Sequence, residues 1–191
     1  MGYTCHMRRP TDILKPAVAS LLTVLAAASA WGQGADVDAL LERLANPDTA
    51  EWQSLERQIT AEWSKSGSPA MDLLLERARE AMEDEEFAVA VEHLTALTDH
   101  APDFAEGWNT RATVFYQMGE LGLSLADIQR VLALNPRHFG ALSGLAIILT
   151  ELDQPALALE AWRQVQAIHP HIPQLEDAIE RLEKETEGTA L

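Results

Sequence analysis

Small, apolar and polar positions recur along this chain with a period of 34 residues. Pro102, Pro136 and Pro170 mark the period, and blocks 71–104, 105–138 and 139–172 fall into register on them. The fourth place of each block is large and apolar (Leu74, Trp108, Leu142), and the eighth is always alanine (Ala78, Ala112, Ala146). The eleventh place is Ala81, Phe115 and Leu149, and the twentieth is small again, with Ala90, Ser124 and Ala158. Leu94, Ile128 and Trp162 hold the twenty-fourth place, and Leu97, Val131 and Val165 the twenty-seventh. In the middle block Trp108 and Phe115 precede Gly119, a helix stop. Leu121, Leu125, Ile128 and Leu132 then follow helical spacing up to Pro136. Each block therefore predicts two helices, and a tandem array of such units predicts a solenoid. Small residues at the eighth and twentieth places fit a close helix crossing, and the proline ends the second helix. Asp103 with Glu106 reads as a capping box for the first helix of the middle block. Asp153 with Pro155 reads as the start of the last block's second helix.

The flanks are patterned too, but out of the repeat register. Val37, Leu40, Leu41 and Leu44 share one helical face, as do Trp52, Leu55, Ile59 and Trp63, which predicts a helical hairpin. Residues 64–69 (Ser-Lys-Ser-Gly-Ser-Pro) read as a hinge between that hairpin and the repeats. At the other end Ile172, Leu175, Ile179 and Leu182 form an apolar stripe backed by Glu176, Glu180, Glu183 and Lys184. Such a polar-backed helix caps the open end of a stack. The division that follows is 1–30, 31–69 (a short lead-in over 31–35, then the hairpin), repeats over 71–172, a capping helix over 173–186 and a tail over 187–191, with fraying from Glu185.

The repeat resembles the tetratricopeptide repeat, whose signature has Trp, Leu-Gly, Tyr, Ala, Phe and a closing Pro at these spacings. Trp108, Ala112, Phe115, Gly119, Ser124 and Pro136 carry the match in the middle block. Leu145-Ala146, Leu149, Ala158, Trp162 and Pro170 carry it in the last, while the first keeps Ala78, Ala90 and Pro102 with Phe87 nearby. Arg77 and Arg111 depart from it at the seventh place, where Leu is usual, and this is expected to weaken packing at one corner. The resemblance covers about half of the chain. It implies an all-α, right-handed α-solenoid of three helix-turn-helix repeats with an N-terminal helical hairpin and a C-terminal capping helix. It also implies that the first helices line a concave groove where a protein or peptide partner lies. The groove positions would be Asp72, Leu75, Arg79 and Met82, then Glu106, Asn109, Thr113 and Tyr116, then Gly140, Ser143, Ile147 and Thr150. Of these, Leu75, Arg79, Met82, Asn109, Thr113, Tyr116, Ser143, Ile147 and Thr150 are the expected partner-binding residues. The carboxylate clamp of one subclass, built from Lys, Arg and Asn, is incomplete here, with only Arg79 and Asn109.

Composition narrows the partners. The chain has 14 Lys and Arg against 30 Asp and Glu, a net charge of −16. Residues 31–191 alone carry 11 basic and 29 acidic side chains. A surface so acidic repels phosphate backbones and anionic headgroups, so neither nucleic acid nor a membrane surface is expected as a partner. The charge serves solubility or, in a sharper reading, draws in a basic partner. Arg8, Arg9 and Lys15 precede the apolar run Ala17 to Ala28, and Ala28-Ser29-Ala30 follows. That order is a secretory signal with cleavage expected after Ala30, and it implies a periplasmic or secreted protein. An uncleaved anchor is the alternative, although the run is shorter than the ~20 residues a spanning helix needs. Met7 would serve as a start as well as Met1. The single cysteine, Cys5, lies within the signal, so the processed chain has no thiol for a disulfide, a thiolate metal site or a nucleophile.

No catalytic constellation is legible. There is no Gly-x-Ser-x-Gly elbow and no Gly-rich phosphate cradle. His138, His169 and His171 sit at block ends and read as inter-repeat loop residues, while His93 and His100 read as helix surface. The acidic run Glu83-Asp84-Glu85-Glu86 reads as a solvated turn, since its spacing is not that of a calcium loop. No cofactor and no metal are expected. A metal- or small-ligand-binding protein using His169 and His171 or the acidic turn is the alternative to a non-catalytic adaptor. The tryptophans read as packing residues.

Overall fold

The structure is a computed structural model that describes residues 31–46 and 48–189, with side chains placed from residue 37 to 187 except at 47. The expected signal, its cleavage point and Cys5 lie outside the described residues. Helices run in the order α1 (Trp31–Leu44), α2 (Trp52–Trp63), α3 (Pro69–Glu83), α4 (Phe87–His100), α5 (Ala105–Gln117), α6 (Leu121–Leu134), α7 (Phe139–Glu151), α8 (Pro155–Ile168) and α9 (Leu175–Thr189). Among the described residues there is no strand, and no helix is long and apolar enough to cross a membrane.

The 34-residue period is a period of backbone geometry. Helices α4, α6 and α8 begin at Phe87, Leu121 and Pro155, and α3, α5 and α7 end at Glu83, Gln117 and Glu151. Between them, Glu85, Gly119 and Asp153 each take positive φ (59°, 79° and 55°). The amides of Glu86, Glu120 and Gln154 close the turn onto the carbonyls of Ala81, Phe115 and Leu149 at 2.8, 2.8 and 2.9 Å. This is the Schellman ending of a helix, repeated three times. Only the middle copy has the glycine that adopts positive φ without steric cost. Asp153 thus ends α7 instead of starting α8, whose Pro155 sits in the first turn after Gln154. The capping box expected of Asp103 and Glu106 is also not formed: Phe104 occupies the cap position, and Glu106 turns to other partners.

The eighth and twentieth places lie where the helices of one hairpin meet. Ala78, Ala90, Ala112, Ser124, Ala146 and Ala158 are all buried. The Ser124 hydroxyl donates to the Ala112 carbonyl at 2.8 Å, so this polar residue is satisfied at the crossing. Leu94 and Leu97 pack with Leu75 and Ala81 in the first repeat. Ile128 and Val131 pack with Ala112, Ala141 and Ile148 between the second and third. Leu175, Ile179 and Leu182 of α9 cover Leu142, Ala158, Leu159 and Val165, while Glu176 and Glu180 face solvent. Helix α9 continues to Thr189, past the point where fraying was expected, and α1 starts at Trp31, within the expected lead-in. No proline interrupts either extension, and lengthening a formed helix costs little compared with nucleating one.

The two N-terminal helices do not simply extend the stack. Leu40, Leu41, Leu44, Leu55 and Ile59 form a core together with Phe139, the first residue of α7, and with Ile168 at the end of α8. Trp52, at the start of α2, stacks on His171 with ring centroids 5.6 Å apart. Trp63, at its end, stacks on His138 at 4.4 Å. Helix α2 therefore crosses the edge of the solenoid where second helices end and first helices begin, running from the third repeat back toward the first. The linker that follows is a bonded turn: Asp72 Oδ1 accepts from the Ser66 amide at 2.8 Å and from its hydroxyl at 2.5 Å.

Candidate binding groove

Helices α3, α5 and α7 stand side by side, and α5 and α7 bring most of their expected partner-binding positions together at one cavity. A pocket of about 220 Å³ opens between α5 and α7. Six of the expected groove positions line it: Asn109, Thr113, Tyr116, Gly140, Ser143 and Ile147. Its floor adds Ala112, Ala141 and Ile148, with Ser124 and Ile128 from α6 behind. The hydroxyls of Thr113 and Ser143 donate to the carbonyls of Asn109 and Phe139 one helical turn back, leaving the cavity wall largely apolar. Tyr116 spans the groove and donates its hydroxyl to the Glu151 carboxylate. That bond first, then burial and the carboxylate's charge, holds the Tyr116 hydroxyl above its usual pKa.

The remaining expected positions are placed differently. Leu75 is 2% exposed and belongs to the core of the first repeat. Met82 packs against that same core. Thr150 lies outside the pocket, and its hydroxyl donates to the Ala146 carbonyl. Arg79 is tied to Glu106 at 2.6 Å and to the Ser64 hydroxyl at 3.2 Å. The other oxygen of Glu106 accepts from Asn109 at 3.4 Å and from His138 Nε2 at 3.1 Å. His138 Nδ1 in turn accepts the Ala141 amide at 3.1 Å, capping α7, so the ring proton sits on Nε2. An internal carboxylate thus already engages both residues that a carboxylate clamp would use.

The other residues weighed for chemistry are engaged within the fold. His169 is 1% exposed, packed among Trp52, Phe139 and His171. His171 Nε2 donates to the Asn46 carbonyl at 3.0 Å. Both therefore hold the N-terminal hairpin instead of lying free in a loop, and among the described residues no three His, Cys, Asp or Glu side chains converge as a metal site would require. The pattern reading missed the Glu106–His138–Trp63 connection, because it joins residues from separate repeats and the hairpin. It also missed Gly144, although Gly140 and Gly144, four apart on α7, were a legible sign of a bare helix face.

No family model matches the chain. A tetratricopeptide-repeat-containing protein of Rhizobium etli is 41% identical over 130 residues, covering 68% of this chain. The match spans 63% of that relative's length. Among solved structures, the first tetratricopeptide domain of Spaghetti (RPAP3), bound to the HSP90 peptide SRMEEVD, is similar with a TM-score of 0.60 and 16% identity. That likeness covers 63% of this chain and 95% of the other. MamA is similar with a TM-score of 0.58 and 16% identity, over 73% of this chain and 85% of the other. The tetratricopeptide domain TPR2B of yeast Sti1, in complex with an Hsp70 peptide, gives a TM-score of 0.57 at 16% identity, over 62% and 99%. At this identity these structures speak for the fold.

Proposed function

We propose that this tetratricopeptide-repeat solenoid is an exported, non-catalytic adaptor that holds a segment of another protein across its first helices. The pocket between α5 and α7 carries the reading, since it gathers the groove positions of two successive repeats around one apolar cavity. Two of the similar structures are named as complexes with HSP90 and Hsp70 peptides, which supports the same mode of binding here. The hydroxyls lining the cavity support a role without catalysis: those of Thr113, Ser124 and Ser143 each donate to a backbone carbonyl, and that of Tyr116, bonded to Glu151, is held above its usual pKa and so is kept from acting as a nucleophile. The order of basic, apolar and small residues over 1–30 supports export, with cleavage after Ala30.

The test is site-specific photo-crosslinking of the full chain in its own cells. A photoreactive residue at Thr113 is expected to trap a discrete partner, and one at Leu157, exposed on α8, is not. Tyr116→Ala in the Thr113 background is expected to reduce the adduct at least several-fold without changing helical circular dichroism. N-terminal sequencing of the purified adduct should begin at Trp31. Adducts formed from Leu157 but not from Thr113 would sink the groove reading, and an N-terminus still at Met1 or Met7 would sink the cleavage.

A further inference from the structure

The groove differs in chemistry along its length, and the difference specifies what fits. Over α5 and α7 the pocket is apolar and open because α7 presents Gly140 and Gly144 to it. A Cβ on Gly144 would meet only Ile128 Cδ1, at the ordinary contact distance of 3.5 Å. Neither close packing nor positive φ requires glycine there. The missing side chain leaves a space that a neighbour on α6 would tolerate being filled, of a size to admit one aliphatic or aromatic side chain.

Toward α3 the same row of helices turns acidic. A wider hollow of about 430 Å³ is lined by Asp72, Glu76, Glu80 and Glu83 with Ser64, Leu75 and Arg79. Arg79 is the one cation among its lining residues, and its guanidinium is paired with Glu106. Beside the pocket, at the end of α7, Glu151 accepts from the Tyr116 hydroxyl that lines it. An acidic segment laid across α3, α5 and α7 would meet like charge at both ends. A basic one would meet unlike charge at both.

We propose that the groove recognises a cationic peptide segment, which seats one large apolar side chain between α5 and α7 and directs Lys or Arg toward α3. The inference rests on the groove being the binding face and adds the chemistry of the partner. Burial of the apolar anchor supplies affinity, as central buried side chains do in other interfaces. The acids of α3 supply selection by charge, a contribution that weakens as salt screens it.

The experiment is fluorescence anisotropy of the signal-free chain with labelled synthetic peptides, acetylated and amidated so that no terminal charge contributes. A Lys-rich peptide with a central Leu or Phe is compared with its Leu→Ala form and its Lys→Glu form. The anchored cationic peptide is expected to bind, and loss of the anchor to weaken it about tenfold or more. Charge reversal should abolish binding, and added salt should weaken it. Gly144→Leu fills the pocket and is expected to remove the preference for the anchor. Gly144→Ala favours the helix and narrows the cavity, so it should discriminate against Phe while melting no lower than the parent. Binding of the Lys→Glu peptide in preference to the Lys form, or no binding by any cationic peptide, overturns the proposal. So does an anchor preference unchanged in both Gly144 variants. A partner that still crosslinks at Thr113 in that event leaves the groove as the binding face and removes only its cationic specificity. Crosslinking confined to Leu157 removes both.

Discussion

Arg111 occupies the seventh place of the middle repeat, where the last repeat has Leu145. Instead of leaving a weak corner, it builds a polar one. Its Nε and Nη2 donate to both oxygens of Asp127 at 2.7 and 2.9 Å, and Nη1 donates to Thr98 at 2.9 Å. The guanidinium also lies over Trp108, 4.7 Å from the ring centroid. Asp127 is only 4% exposed, so its charge depends on this one partner. Breaking such a pair strands a buried carboxylate, while removing both halves does not. Arg111→Leu is therefore expected to cost about 3–5 kcal/mol. The Arg111→Leu/Asp127→Leu double variant should recover most of that, and Arg111→Lys should lie between, lacking the planar fork. Urea denaturation of the set decides it: a single Arg111→Leu within about 0.5 kcal/mol of the parent, as a solvated surface change would be, means the pair carries no weight. A departure from the repeat pattern was visible at Arg111. Its compensation was not, because Asp127 is sixteen residues away and reads as a surface acid on an amphipathic helix.

At the scale of the element, helices α1 and α2 show where periodicity stops being informative. Their apolar faces were legible as faces, and the burial of Leu40, Leu41, Leu44, Leu55 and Ile59 follows them. Amphipathicity says that a stripe will be covered but not by what, and the cover here includes Phe139 and Ile168 from the third repeat. His138, His169 and His171 had no periodic partner and so read as loop, yet they are the surface on which Trp52 and Trp63 rest. The repeats themselves were legible because each position is sampled three times, and a hairpin present once offers no such averaging. Trp63 touches both His138 and Phe139, at 4.4 and 5.0 Å between centroids, and is the anchor nearest the linker. Trp63→Ala is expected to cost about 2–3 kcal/mol, below the range for a fully buried tryptophan because this one is half-buried. The loss should be local. Amides of α1 and α2 should exchange faster while those of α4 to α8 keep their protection, and unchanged protection over α1 and α2 would show that the hairpin is held by other contacts.

At the scale of the whole molecule, the hairpin makes a largely one-dimensional stack into a body in which α1 touches the last repeat. Asp38 pairs with Arg137 at 3.2 Å, Asn46 receives His171, and α1 contacts α8. The junction turns on His169. Among the described residues, neither of its ring nitrogens has a hydrogen-bond partner. The facing charges are the Glu56 carboxylate, 3.7 Å away on α2, and the neighbouring His171. Burial, the largest influence, holds its pKa below the usual 6.5; Glu56 opposes that shift and His171 adds to it. Above 6.5 the ring is neutral in folded and unfolded chains alike, and it contributes no pH dependence. As the pH falls below 6.5 the unfolded chain takes up a proton that the folded one refuses, so stability falls until the pH reaches the lower folded value. The urea midpoint of the chain over residues 31–191 should therefore drop between about pH 7.5 and pH 5.5, a window lying above the titration of ordinary carboxylates. His169→Phe keeps an aromatic ring among Trp52 and Phe139 but cannot take up the proton, so its midpoint should fall less over the same range. The difference in slope reports His169 together with its coupling to Glu56 and His171, because the titrating groups away from this junction are common to both chains. A His169→Phe midpoint that tracks the parent at each pH would mean that the junction of hairpin and last repeat is closed by packing alone.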